Sequence, residues 1–491
     1  MPYSSQKLPV ARALPKCPTG IHGLDEITLG GLPRGRPTLI CGGAGSGKTL
    51  LGTSFLVHGA ERFDEPGVLM TFEENGEEIA SDVASLGFDL PRLVSEGKLL
   101  VDYVRIERSE IEETGEYDLE GLFVRLDHAV RSIGAKRVVL DTIESLFAGL
   151  SNASVLRAEL RRLFRWLKEK NLTAVVTAER GDGTLTRQGL EEYVSDAVIL
   201  LDHRVREQIS TRRLRVVKYR GSHHGTNEYP FLIGAEGLSV LPVTSLGLSH
   251  SASTDKIPSG VLELDRMLGG KGYFRGSTIL ISGTAGTGKT SLAGHFAQAA
   301  CLRGERCLYF LFEESPEQLM RNLSSIGIDL RPWVAKGLLK FHADRPSRAG
   351  LETHLAVMYE LVRDFTPSIT VVDPVTNLLA VGTLDDVQGM LTRVIDYLKV
   401  SSITALFTSL TPGKIELEET EAGISSLMDT WIVLTIREVE RERRRQICVL
   451  KSRGVAHSNR INEFELTDRG LRISDRDAER PGRPRPTTRG G

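Results

Sequence analysis

The chain has 491 residues, enough for roughly two to four domains, and its 62 Lys and Arg against 64 Asp and Glu leave a formal net charge of −2. That balance gives no global reason to expect a nucleic acid or an anionic membrane as partner. The five cysteines (Cys17, Cys41, Cys301, Cys307, Cys448) form no C-x-x-C pair, so neither a disulfide framework nor a zinc site is expected.

In chain order, residues 1–17 read as an N-terminal extension without the apolar stretch of a secretory signal. No run approaches the roughly 20 apolar residues that span a bilayer, and a reducing cytoplasm is the expected compartment. A first domain is expected over residues 18–244. Its short run Thr38–Cys41 reads as a buried strand and leads into Gly42-Gly43-Ala44-Gly45-Ser46-Gly47-Lys48-Thr49, a G-x-x-x-x-G-K-[ST] loop ahead of a helix. Further strands are predicted at Val68–Phe72, Arg137–Leu140 and Thr173–Thr177. Leu156, Leu160, Leu163, Phe164 and Leu167 have helical spacing. Residues 245–257 read as a Ser/Thr-rich linker.

A second domain is expected over residues 258–474, because the same signals recur in the same order. Pro18-Thr19-Gly20-Ile21 is echoed by Pro258-Ser259-Gly260-Val261, and Phe72-Glu73-Glu74 by Phe312-Glu313-Glu314. Gly283-Thr284-Ala285-Gly286-Thr287-Gly288-Lys289-Thr290 is a second phosphate-binding loop after the strand-like Thr278–Ser282. Residues 475–491, rich in Arg and Pro, read as a disordered tail. The whole is an α/β protein: a tandem duplication of P-loop domains, each a mainly parallel sheet flanked by helices.

Such loops turn backbone N–H groups toward phosphate oxygens at a helix N-terminus. Gly45, Ser46, Gly47, Lys48, Thr49 and Leu50 form one nucleotide-contacting set, and Thr287, Gly288, Lys289, Thr290 and Ser291 the other. Lys48 and Lys289 reach the β- and γ-phosphates, and Thr49 and Thr290 ligate Mg²⁺. Asp141 and Asp373 each end an apolar run, as a Walker B carboxylate near Mg²⁺ does. Glu73-Glu74 and Glu313-Glu314 follow the strand after each P-loop helix, where a carboxylate can polarise a water or a hydroxyl toward the γ-phosphate. Because adjacent residues on an extended chain point opposite ways, only one of each pair is expected to face the phosphate. Lys218, Arg220, Lys451 and Arg453 end late strands and read equally well as solvated charges or as cations given to a neighbouring subunit's site. The run Arg437–Arg445 alternates in sign and reads as an exposed hairpin.

The chain from about Pro18 to Ser474 resembles KaiC, a family of two-domain RecA-like ATPases. The resemblance rests on Phe63-Asp64-Glu65-Pro66-Gly67-Val68, Thr71-Phe72-Glu73-Glu74, Glu192-Tyr193-Val194-Ser195-Asp196 and Ile424-Ser425-Ser426-Leu427-Met428-Asp429-Thr430. It implies a homo-oligomer, a hexamer, with ATP and Mg²⁺ bound between subunits. It implies ATP hydrolysis in the first domain and, in the second, phosphoryl transfer to an adjacent hydroxyl pair, here Ser425 and Ser426. Glu313, which the resemblance also places near the metal, and Glu314 would then activate the acceptor, and Glu73 and Glu74 would serve hydrolysis. Ser85, Lys218, Tyr219, Arg220, Ser222 and His224 match nucleotide-contacting positions of the first domain, and Lys451, Ser452, Arg453 and His457 those of the second. The sequence differs from the family pattern at Ser426 (often Thr), Ile326 (an aromatic), Val455-Ala456 (Ser-Trp), Asn459 (Lys), Pro374 (Ser) and Ala380 (Arg). The tail lacks the family's segment for the activator KaiA. Constitutive autophosphorylation or an hourglass-like timer is therefore expected, with KaiB-like or histidine-kinase partners implied by the resemblance alone. Two other readings remain open at this point: a nucleotide-switched signalling scaffold without autokinase activity, and a RecA-like DNA-dependent ATPase.

Overall fold

The computed structural model describes residues 14–104, 120–147, 153–181, 185–186, 195–206, 209–234, 237–242, 252–411, 425–439 and 442–474. The chain divides into two compact units, Met1–Ser245 and Leu246–Gly491. The expected tail 475–491 and the motif residues 192–194 and 424 lie outside the described residues.

The first unit is built on a nine-stranded sheet. From one edge its strands are Leu99–Tyr103, Gly67–Thr71, Arg137–Asp141, Thr173–Glu179, Pro37–Gly42, Ala197–Arg206, Ile209–Tyr219, Glu228–Gly234 and Gly237–Val240. Neighbours run parallel as far as Ala197–Arg206 and antiparallel beyond it. The second unit repeats this order with Leu339–Ala343, Cys307–Leu311, Ile369–Asp373, Thr404–Leu410, Thr278–Gly283, Thr430–Val439, Glu442–Ser452, Asn462–Thr467 and Gly470–Ile473. A two-residue strand opens each unit: Lys16–Cys17 pairs with Leu32–Pro33, and Lys256–Ile257 with Tyr273–Phe274.

Successive residues of a strand face opposite sides of the sheet, and both sides are covered. Ile40, Leu69 and Val139 pack with the P-loop helix Lys48–Arg62 on one side. Leu39, Val68 and Val138 pack on the other, against Leu156, Leu160, Leu163, Phe164 and Leu167 of the helix Ala153–Glu169. Burial on both faces is why these strands read as continuous apolar runs rather than alternating ones. The expected Arg437–Arg445 hairpin is the antiparallel pair Thr430–Val439 and Glu442–Ser452.

Candidate functional site: two P-loop clefts and a basic arm at the far end of the strands

Each P-loop leaves the carboxyl end of a central parallel strand and enters a helix directly, where α/β sheets bind ligands. The residue capping each helix is a left-handed glycine, Gly47 at φ 97° and Gly288 at φ 102°. A Cβ at Gly43 or Gly45 would meet nothing within 4 Å, so the first loop presents bare backbone to the cleft. The buried Lys48 Nζ donates to the carbonyls of Gly42 at 3.0 Å and Gly43 at 3.1 Å. Lys289 Nζ does the same to Gly283 at 2.9 Å and Thr284 at 2.8 Å. Burial pushes the Lys289 pKa down, opposed by the Asp373 and Glu313 carboxylates. Such a cation gains by meeting phosphate.

Asp141 and Asp373 end the next strand but one from each P-loop strand and are buried. Burial pushes the Asp141 carboxyl pKa up, countered by hydrogen bonds from the Thr177 and Thr49 hydroxyls and by Lys48. Thr408 makes the bond to Asp373 that Thr177 makes to Asp141, and the Tyr309 hydroxyl adds a second at 2.9 Å. A cavity of about 300 Å³ brings Lys289, Thr290, Ser291, Glu313, Glu314 and Asp373 together. Both glutamates line it, whereas alternation would have turned one away. The strand Cys307–Leu311 ends before them, and they lie in a bend. In the first unit the pair divides its contacts. Glu73 accepts from Thr142 at 2.8 Å and Ser145 at 2.6 Å, while burial and the nearby Asp141 charge raise the Glu74 pKa. No group of three or more His, Cys, Asp or Glu among the described residues could hold a metal. The donor set at each cleft, one Thr hydroxyl and one buried Asp, suits Mg²⁺, which is held by few protein oxygens and keeps phosphate and water ligands.

Most of the remaining candidates sit at the opposite end of these strands. Ile279 pairs with Thr430, and Gly283, where the loop begins, with Leu434. Roughly 13 Å of strand separates these levels at about 3.3 Å per residue. Ser425 and Ser426 precede Thr430 in the short 3₁₀ turn Ser425–Leu427, and Ser452 pairs with Thr430. Lys451 Nζ donates to the carbonyls of Ser425 at 3.1 Å and Ser426 at 3.4 Å, and Arg453 to that of Ser426 at 2.9 Å. Asp429 anchors the turn: it accepts from the Thr278 amide and hydroxyl, both at 2.9 Å, and pairs with Lys399 at 2.9 Å. Against the cost of burial, those partners hold its carboxyl pKa below the usual range. His457 lies just beyond, its Nδ1 3.2 Å from the Val455 carbonyl.

The first unit is arranged alike. Tyr219 pairs with Ala197 and Lys218 with Val198, while Ala197 stands beside Thr38 at the start of the P-loop strand. The Arg220 amide bonds the Asp196 carbonyl at 2.9 Å, as the Arg453 amide bonds Asp429 at 2.8 Å. Ser222 and His224 follow in the same segment, with the His224 ring stacked on Tyr219 at 6.3 Å. Ser85, exposed, instead caps the half-buried helix Gly76–Ala84, which follows the glutamate pair, and belongs to neither the P-loop group nor the basic one. The candidates thus form two groups in each unit, the P-loop group at the carboxyl ends of the parallel strands and the basic group at their amino ends.

Several site residues escaped the sequence reading. Thr177, Thr408 and Tyr309 orient the aspartates, and the repetition of Thr177 by Thr408 was a usable signal. Arg445, read as part of an exposed hairpin, donates from Nε to the Gly286 carbonyl of the P-loop at 3.3 Å. Arg345 shares a cavity of about 370 Å³ with Glu313 and Ala380, so a cation stands near the position where the family pattern carries Arg and this chain carries Ala.

Fold and clefts together define a tandem P-loop ATPase. The sequence profile of the family described as "ATPase: KaiC" matches residues 17–245 and 257–478. The circadian clock protein KaiC2 of Synechocystis sp. (strain ATCC 27184 / PCC 6803 / Kazusa) is 58% identical over 461 residues, covering 94% of this chain and 81% of that protein. KaiC3 of the same organism is 39% identical over 463 residues, 93% of this chain and 91% of its own. The circadian clock oscillator protein KaiC of Synechococcus elongatus (strain ATCC 33912 / PCC 7942 / FACHB-805) is 38% identical over 467 residues, 94% of this chain and 90% of its own. The chain belongs to the KaiC family of ATPases, and ATP binding follows from that membership. Among the described residues no helix is long and apolar enough to cross a membrane.

Proposed function

We propose that this chain assembles into a ring, a hexamer, that hydrolyses ATP in its first domain and autophosphorylates Ser425 or Ser426 in its second, as a timing or signalling regulator of the circadian-clock kind. The observation that supports this reading is the separation of the two candidate groups at opposite ends of the central strands. A copy cannot offer its own serines to its own P-loop across that distance, whereas a head-to-tail neighbour can. Closed rings are the economical product of such contacts.

In the second domain Lys289 and the loop N–H groups hold the phosphates; Thr290 and Asp373 would hold Mg²⁺, which would supply neutralisation of the phosphate charge. Lys451 and Arg453 bring the neighbour's serine turn and two cations to the γ-phosphate together. Glu313, with Glu314 beside it, accepts the serine proton while the serine oxygen forms its bond to phosphorus. The bond from that phosphorus to the bridging oxygen breaks, and ADP leaves. In the first domain Glu73 and Glu74 direct a water in the same way.

The deciding experiment is intact mass after incubation with Mg-ATP, beside a Ser425→Ala/Ser426→Ala double variant. A phosphate-sized gain that disappears in the variant supports the autokinase and its acceptors. No gain in either, with ATP consumed, overturns it and leaves a nucleotide-switched scaffold.

A further inference from the structure

The basic arm of the first unit, Lys218–Gly225, is fastened to the segment that opens the domain. The Tyr219 hydroxyl donates to the Gly31 carbonyl at 2.8 Å, and the Gly225 amide to the Ile27 carbonyl at 2.8 Å. Between these points lies one side chain. Lys16 Nζ donates to the Thr28 carbonyl at 2.8 Å and to the Ser222 hydroxyl at 2.8 Å, and it stands 3.7 Å above the centre of the Tyr219 ring. That ring carries His224 stacked against it. One cation therefore touches the start, the middle and, through the ring, the far part of the arm.

Lys16 is held in place from its own side. It belongs to the strand Lys16–Cys17, paired with Leu32–Pro33, and its carbonyl accepts from Arg34 at 3.1 Å. The second unit lacks this clamp. Lys256 occupies the equivalent strand, yet its Nζ reaches the Leu268 carbonyl at 3.3 Å and stands 5.0 Å from the Phe274 ring. In the arm there Ser452 stands at the position of Tyr219, bonding Thr430 at 3.1 Å, and Val455 at that of Ser222, so neither the ring nor the hydroxyl recurs.

We infer that Lys16 is a positioning residue of the first-domain nucleotide site: by gripping Ser222 and Tyr219 it presets the arm that a neighbouring copy's nucleotide meets, a device the second domain does not share. The inference rests on the reading above that the arms serve a neighbour's site. An arm already ordered loses less freedom on binding, so preorganisation appears as affinity. A cation over an aromatic face and a donor to a hydroxyl both contribute when shielded from water, and burial lowers the Lys16 pKa to about 8.

The test uses the full chain with Lys289→Ala, which silences the second P-loop, and titration with a fluorescent ATP analogue in Mg²⁺. Lys16→Met is expected to weaken first-domain binding by about tenfold, and Lys256→Met to leave it within twofold. A double-mutant cycle of Lys16→Met with Ser222→Ala separates positioning from general loosening. If Lys16 acts through Ser222, the double variant is little weaker than Lys16→Met alone. Should Lys16→Met fail to fold, the cycle is run with Lys16→Gln. Binding by the Lys16 variant within twofold of the parent, or fully additive losses, would overturn the inference. Lys218→Ala with Arg220→Ala shows which idea has failed. If that pair is also silent, the shared-site reading falls; if it weakens binding while Lys16 does not, only the clamp falls.

Discussion

The ammonium of Lys451 holds the carbonyl of Ser425 at 3.1 Å, so the expected phosphoacceptor and a cation of the nucleotide site move as one piece. Their own P-loop is at the other end of the same strands. On the proposed reading, transfer then runs between copies. We predict that a Lys289→Ala chain, which keeps its serines, becomes phosphorylated when mixed with a Ser425→Ala/Ser426→Ala chain, which keeps its P-loop. Mass spectrometry reads which chain carries the phosphate. No phosphate on the Lys289→Ala chain after subunit exchange would defeat transfer in trans.

Glu313 and Glu314 line one cleft with Lys289 and Asp373. Replacing both glutamates with Gln keeps their size and removes the proton acceptor. Phosphate incorporation should fall at least a hundredfold, in line with the loss of a general base. ATP consumption by the first domain should persist, and Lys48→Ala should remove it. An unchanged phosphorylation rate in the double variant would refute the assignment.

His58 is buried on the P-loop helix, edge-on to Phe88. Burial, reinforced by Arg62, lowers its pKa from 6.5 to about 4. Between those values the unfolded chain binds a proton that the folded chain refuses, so stability falls as pH drops through that window. The loss reaches about 3 kcal/mol by the lower end. Urea midpoints of the first unit from neutral pH down to the window's floor should fall more steeply for the parent than for His58→Gln. Parallel curves would count against it.

Arg137 is fully buried and pairs with Glu65 at 2.7 Å, while also donating to the Phe55 and Pro18 carbonyls at 2.9 Å each. Arg34 meets the same carboxylate at 2.7 Å. The second unit has Ile369 in the corresponding strand position, beside Cys307 as Arg137 is beside Gly67. Arg137→Met leaves Glu65 half-paired and should cost about 3–5 kcal/mol. Chemical denaturation should report this in the first unit's transition, with the second unit's unmoved.

The duplicated P-loops, the strand runs and the glutamate pairs were legible because each is a local pattern whose chemistry depends on near neighbours in the chain. The apolar runs named the parallel strands since burial on both faces leaves no polar positions. What escaped depends on register. Thr177 reaches Asp141 only because their strands are adjacent, and Tyr309 reaches Asp373 for the same reason. Lys16 reads as part of the extension because its partners, Tyr219 and Ser222, lie about two hundred residues on. Alternation misjudged Glu313 and Glu314 because the strand stops short of them.

The separation of P-loop and arm has a genetic consequence. If the arms serve a neighbour's site, as proposed, a defect in the P-loop spoils the site of the copy that carries it, but a defect in the arm spoils the neighbour's. In a ring of mixed copies an arm-deficient chain would be a dominant poison, disabling intact companions while its own P-loop, served by a healthy neighbour, kept working.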